Sequence, residues 1–299
     1  MYHWPIGEAA AKGNSKSAIV LRGVVPALAA GEGGQNRMSH GTLLMDMTRP
    51  PAHLSATALA MIASPDIFSN PRRTRITRAV HDGKPIFFTV ADRKDRIQAR
   101  HAKGRFYEPE ELKLIAQHFP RGGVFCDAGA NIGNHSLYAL KLLEAQRSIP
   151  FEPNPTAYEL FLSNMILNGC LDRVTLSTLG YGLSDRSDAP SMSLEPRVKN
   201  LGATRLVAAE EGQISMASGD ALLAGARIDF LKVDVEGMEL EVLRGFEQSI
   251  AATRPPIFLE VDHRNNEALM AWAAGLGYGV LVEGRAFKMN RNVLLGPLP

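Results

Sequence analysis

Past Pro120, short apolar runs of strand length alternate with amphipathic segments long enough for helices, and no other feature of the 299-residue chain limits its fold so strongly. The runs are "GVFCDA", "SIPFEP", "VTLSTLG", "IDFLKVDV", "PPIFLEVD", "YGVLVE" and "NVLLG". Strands separated by helices pair in parallel, because each crossover returns the chain to the same end of the sheet and covers a sheet face. The best bounded helix lies in "NPTAYELFLSNMILNG". Asn154 supplies an N-cap oxygen, Pro155 suits the first helical position, and Gly169 permits a left-handed exit. The last two runs, joined by "EGRAFKMNR", predict an antiparallel hairpin. The expected fold is α/β: a seven-stranded, mostly parallel sheet with helices on both faces and an antiparallel last strand.

The chain before this pattern is different. Residues 1–66, with "AAGEGGQN" and "TRPPAHLS", read as an irregular, partly disordered N-terminal extension, although "SATALAMIAS" suits a short helix. Residues 67–105 form a basic lead-in. Between Pro71 and Arg105 there are eleven Lys/Arg against three Asp, within a chain whose net charge is only +2. Such a segment attracts an anion or simply faces solvent. The third segment, residues 106–299, carries the strand and helix alternation. Two cysteines without CxxC or clustered Cys/His spacing give no disulfide framework and no structural zinc site. "SAIVLRGVVPALAAG" is broken by Arg22 and Pro26, and no apolar run reaches the roughly 18 residues of a membrane span. The expectation is a cytoplasmic protein that binds neither membrane nor nucleic acid.

The chemistry-bearing residues gather at predicted strand ends, where ligands of open α/β sheets bind. In "VFCDAGANIGNHSL", Asp127 ends the first strand and Gly129 and Gly133 flank Asn131 before a helix begins. Glycine lets backbone approach a ligand, and Asp127 in the mouth suits a cation such as an amino group or a sulfonium. The spacing is not the dinucleotide fingerprint. Glu152, at the end of the second strand, is placed to accept both hydrogen bonds of a ribose diol, or to stabilise a helix N-terminus. Asp185 in "GYGLSD" meets an adenine amino group or forms a turn. Asp234 and Glu236 bracket the fourth strand end and either hold a polar substrate or act as base. His263, closing the fifth strand, is the histidine placed to accept a proton.

With these residues in place, the chain resembles the FkbM family of S-adenosylmethionine-dependent methyltransferases from about Phe106 to Leu295. "YEPEEL", "DAGANIGNHSL", "FEPNPTAYELFLSNMILNG", "IDFLKVDVEGMELEVLRG" and "FLEV" follow in family order. The resemblance implies a class I methyltransferase (Rossmann-like) sheet with S-adenosylmethionine as cofactor. Asp127, Gly129, Asn131 and Gly133 would lie around its methionine part and Glu152 on its ribose, with Glu108 of "YEPEEL" in the same cofactor set. It also implies O-methylation of a sugar or other hydroxylated metabolite, so the partner is a small molecule or glycan. The chain departs from the family at Met238, where a histidine often stands, and at "SGDALL", where only Asp220 is retained. N-methylation of an amine, or a non-catalytic cofactor-binding module that holds an anionic partner through its basic segment, are the alternatives.

Overall fold

Alternate residues of the buried strands point to opposite faces, and both sets are apolar, so the sheet needs helices on each side. The computed structural model describes residues 50–65, 74–195, 201, 204–209 and 211–299. Its elements begin with α1 (Ala56–Ala63), β1 (Arg75–His81), β2 (Lys84–Val90), α2 (Arg96–His101) and α3 (Pro109–His118). There follow β3 (Val124–Ala128), α4 (Asn134–Lys141), β4 (Arg147–Phe151) and α5 (Pro155–Leu167). Four short strands come next, β5 (Gly182–Leu183), β6 (Met192–Glu195), β7 (Arg205–Ala208) and β8 (Met216–Ala217), with α6 (Gly219–Leu223). The chain closes with β9 (Phe230–Val233), α7 (Glu239–Gly245), α8 (Glu247–Thr253), β10 (Ile257–Asp262), α9 (Asn266–Gly275), β11 (Tyr278–Ala286) and β12 (Asn290–Pro297).

The main sheet has the order β11-β12-β10-β9-β3-β4. Its β4, β3, β9 and β10 are mutually parallel, while β12 runs antiparallel to both β10 and β11 as the predicted hairpin requires. One face buries Phe125, Phe230, Phe258 and Leu294 against α3, α4 and α5. The other buries Cys126, Leu231, Val233 and Leu259 against α7, α8 and α9. Phe125 and Phe230 stack with centroids 5.7 Å apart, and Phe119 meets both edge-on. Each such side chain contributes about 1.5–3 kcal/mol by leaving water. Among the described residues no helix is long and apolar enough to cross a membrane.

The main sheet has six strands, not the seven expected. "VTLSTLG" makes a single parallel bridge, Ser148 to Val174, and then turns through a 3-10 segment, Leu176–Thr178. Pro150 supplies the reason. Ser148 O accepts from Thr175 N at 2.9 Å, so the same edge of β4 reaches Pro150 two residues on, where no N–H exists. The Thr178 hydroxyl takes the Pro150 carbonyl at 2.6 Å and ends the pairing. β4 is therefore an edge strand, the place where proline is tolerated.

The basic lead-in contains the β1–β2 hairpin and α2, and the hairpin is tied to α5 by its side chains. Asn164 Oδ1 accepts from Thr89 N at 2.7 Å, and Asn168 exchanges bonds with Phe87 N at 3.0 Å and Phe87 O at 2.7 Å. Four helical residues advance about 6 Å and two strand residues about 6.6 Å, so asparagines at i and i+4 match alternate strand residues. The helix thus occupies a strand edge that would otherwise be unpaired. Ser55 donates its N–H to Tyr158 Oη at 3.0 Å and caps α1. Residues 1–49, which hold most of the expected extension and the interrupted apolar lead, lie outside the described residues, as do residues 66–73 at its junction with the basic segment.

Asn164 Nδ2 also donates to Ile132 O at 2.8 Å in the glycine turn. Asn164→Leu would leave a buried donor on β2 and a buried acceptor in that turn unpaired. A loss of about 3 kcal/mol is expected, read as a lower urea midpoint with an unchanged slope.

Candidate active site

The strand register builds the site row by row. Asp127 lies opposite Lys232, and Lys232 opposite Phe258, across β3, β9 and β10. Lys232 is a charged residue inside a buried strand, only 2% exposed. Its Nζ stands 3.2 Å from Asp127 Oδ1 and 3.5 Å from Asp234 Oδ2, and donates to Gly129 O at 2.8 Å. Burial alone would lower its pKa, but the Asp127 and Asp234 carboxylates prevail and raise it. Asp127 also accepts from Ser136 N at 3.1 Å and Ser136 Oγ at 2.6 Å, which pins the start of α4. Its charge is thereby satisfied inside the protein. The expectation that Asp127 faces a cationic ligand is corrected: it is fully buried and does not line the cleft.

One row further, at the strand ends, stand Gly129, Asp234 and Glu260. Gly129 has φ +80°, and a Cβ there would sit 1.8 Å from Asp234 O. This glycine is required by the close approach of the next strand's end, and its peptide also borders the cleft. Gly133 has a different neighbour: a Cβ would meet Phe161 at 2.7 Å and Met165 at 2.8 Å. It serves the packing of α5 on the turn and does not line the cleft. Between them Asn131, at φ +49°, donates its N–H to Glu152 Oε2 at 2.8 Å. Glu152 Oε1 accepts from Asn154 N at 2.8 Å. Burial pushes the Glu152 carboxyl up to about 7, against these two backbone donors.

The cleft above these ends has two chambers that share Gly129, Asn131, Asp234 and Glu236. The first is walled by Glu152, Tyr181, Leu183, Leu194, Leu206 and Val242. The second is walled by Tyr107, Glu108, His135, Asp234, Glu236 and Glu260, with Arg96 and the β11–β12 tip at its rim. Acids crowd this second chamber. Glu108 is pushed up to about 7 by burial and then by the Asp234 charge. Glu260 is pushed up to about 9 by burial, then by Asp234, Glu108 and Glu236. His135, whose Nε2 is 3.7 Å from Glu108, is held neutral by burial and by Lys232, with its pKa lowered to about 3.

Of the ten predicted site residues, Glu108, Gly129, Asn131, Glu152, Asp234 and Glu236 line the cleft, Asp127 and Gly133 brace it from behind, and His263 and Asp185 do neither. His263 is exposed, donates its N–H to Met289 O at 3.0 Å, and has its Nε2 3.2 Å from Phe287 O. It clamps the β11–β12 tip because its side chain leaves β10 on the solvent side. Asp185 is an exposed turn residue that accepts from Ser184 Oγ at 3.3 Å; Tyr181, Gly182 and Leu183 line the wall ahead of it. Lys232, Glu260, His135 and Tyr107 were missed. A charged residue inside a strand buried on both faces demands a partner, and that signal was available for Lys232 in "DFLKVDV".

The family model for the methyltransferase FkbM domain matches residues 127–279, just over half of the chain. The hexuronic acid methyltransferase AglP of Haloferax volcanii is 31% identical over 169 residues, covering 54% of this chain and 65% of that protein. Methyltransferase sdnD of Sordaria araneosa is 29% identical over 167 residues, covering 44% and 63%. The chain thus matches slightly less than two thirds of the length of these curated relatives. A crystal structure of a methyltransferase FkbM from Methylobacillus flagellatus KT aligns with a TM-score of 0.44 and 18% identity, over 60% of this chain and 44% of that one.

Lys232→Met is expected to cost about 3–5 kcal/mol, because it strands the buried Asp127 charge. Combining it with Asp127→Asn should destabilise by less than the sum of the single changes. Chemical denaturation of the three variants measures both.

Proposed function

The chain belongs to the FkbM methyltransferase family, and on that footing we propose that it moves a methyl group from S-adenosylmethionine to a hydroxyl oxygen of a sugar or similar hydroxylated metabolite. The observation that carries this reading is the pair of chambers meeting at Gly129, Asn131 and Asp234. The first suits a nucleoside. Its apolar walls accept a base, and the Glu152 oxygens at the β4 end are acceptors for a vicinal diol. The acid-lined second chamber suits an ammonium and a sulfonium. A diphosphate does not suit the first chamber: among the described residues no Lys or Arg lines it, and Glu152, Asp234 and Glu236 repel such a group.

When bound, S-adenosylmethionine supplies a methyl group already activated on sulfur. The protein's own tasks are alignment, exclusion of water and removal of one proton. Glu152 holds the diol, and the 129–131 backbone borders the cofactor's path. Asp234 and Glu236, on the wall common to both chambers, orient the acceptor oxygen. Such alignment is worth about 7–11 kcal/mol in favourable cases. The β11–β12 tip, with Phe287 and Met289 exposed at the rim, borders the acceptor side. A relative named for acting on a hexuronic acid supports a sugar acceptor. The acid lining also suits an amine acceptor, which is the second reading.

Calorimetry with S-adenosylhomocysteine and with NAD tests the cofactor, followed by labelled methyl transfer to uronic acids, neutral sugars and amines. Binding of S-adenosylhomocysteine and labelling of a hydroxyl compound are expected. Binding of NAD alone would overturn the reading. Glu152→Gln should weaken S-adenosylhomocysteine about tenfold, the loss of roughly 1.4 kcal/mol of hydrogen bonding.

A further inference from the structure

We propose that Glu260 is the group that takes the acceptor's hydroxyl proton, acting beside Asp234 on the neighbouring strand end and positioned by Asn290 from the closing hairpin. The assignment rests on the methyl-transfer reading above and adds to it the identity of the base. Register carries it first. Leu259 pairs with Val233 in parallel, so the next residues, Glu260 and Asp234, leave adjacent strands at the same level. Both line the second chamber, on the sheet face that bears Lys232 and Phe258 one row below. Glu260 is also paired across the antiparallel strand with Asn292. Asn290, two residues away on β12, donates its Nδ2 to Glu260 Oε1. Asn292 in turn donates to Glu111 Oε1 at 3.2 Å, so its amide is held by α3. A carboxyl on a rigid strand, with one oxygen fixed by an amide and lining the chamber, is well placed to meet a substrate hydroxyl.

Glu260 faces charges from every side of the chamber. Asp234 and Glu236 lie at the β9 end, Glu108 and Tyr107 ahead of α3, and Lys232 below; Arg96 and Lys288 stand at the rim. Burial and the carboxylates dominate, so its pKa rises to about 9 and the carboxyl holds a proton at neutral pH when no cation is bound beside it. The sign follows. A folded-state pKa above the ordinary carboxyl value means that the folded chain binds the extra proton, and stability from this group is lost as pH rises from about 4.5 towards 9. A positive charge entering the chamber favours the ionised carboxyl, so cofactor binding expels that proton and leaves a carboxylate ready to accept another. In the transfer step the acceptor O–H bond breaks and its proton goes to a Glu260 oxygen. The freed electron pair forms the O–CH3 bond, and the C–S pair remains on sulfur.

The test is calorimetry of S-adenosylmethionine and S-adenosylhomocysteine at pH 7.5 in buffers of different ionisation enthalpy, on wild type and on Glu260→Gln. The variant should bind S-adenosylhomocysteine within about threefold of wild type, which shows that the site is folded. It should also release fewer protons on binding the sulfonium. With the acceptor that wild type methylates in the screen above, kcat should fall about 10²- to 10⁴-fold, partly restored in Glu260→Asp. Asn290→Ala should shift the pH dependence of kcat while S-adenosylhomocysteine affinity holds. Unchanged proton release, or wild-type turnover in Glu260→Gln, would overturn the assignment and leave the cofactor reading standing. Failure of wild type to bind either ligand would remove both.

Discussion

The Lys232 ammonium is the interaction around which the rest of the cleft is arranged. It lies inside the sheet with 2% of its surface exposed, and a charge so placed is tolerable only when its partners are fixed. Asp127, Asp234 and the Gly129 carbonyl are those partners, and each belongs to a different part of the site. Through Asp127 the lysine governs Ser136 and the first turn of α4. Through Gly129 it sets the turn that borders both chambers. Through Asp234 it anchors the wall they share.

This arrangement also explains why the cleft divides as it does. The lysine neutralises acid charge from below, behind the strand ends, and leaves the upper side of the second chamber to Glu108, Glu236 and Glu260. Their charges repel one another, and Glu108 and Glu260 resist ionisation until something positive arrives. The one acid the first chamber does not share with the second, Glu152, is held by the backbone of Asn131 and Asn154, so the same residue shapes the turn and presents oxygens to the cleft.

Much of the parallel core was readable because the apolar runs, the Asn154 and Pro155 helix start and the closing hairpin are local signals. The missing strand was not, since Pro150 acts on a neighbour some two dozen residues away, and only the pairing edge reveals which side its absent N–H faces. Strand ends correctly pointed to the cleft, yet side-chain direction decided between residues only a few positions apart. Glu260 enters it and His263 leaves it. Glycine was read as room for a ligand. At Gly129 the space is taken first by Asp234 O, and at Gly133 by Phe161, because long-range packing competes for the same freedom.

The asparagine rungs on α5 bear on where this fold begins. The family match begins at Asp127, yet Asn164 and Asn168 are committed to Thr89 and Phe87, and Phe88 packs into the core beside Phe106. A chain cut back to the matched portion would carry two buried amides seeking absent mates and an aromatic hollow open to water. The edge of the family match and the edge of the packed fold therefore fall at different residues, and the β1–β2 hairpin is part of what the matched portion needs in order to close.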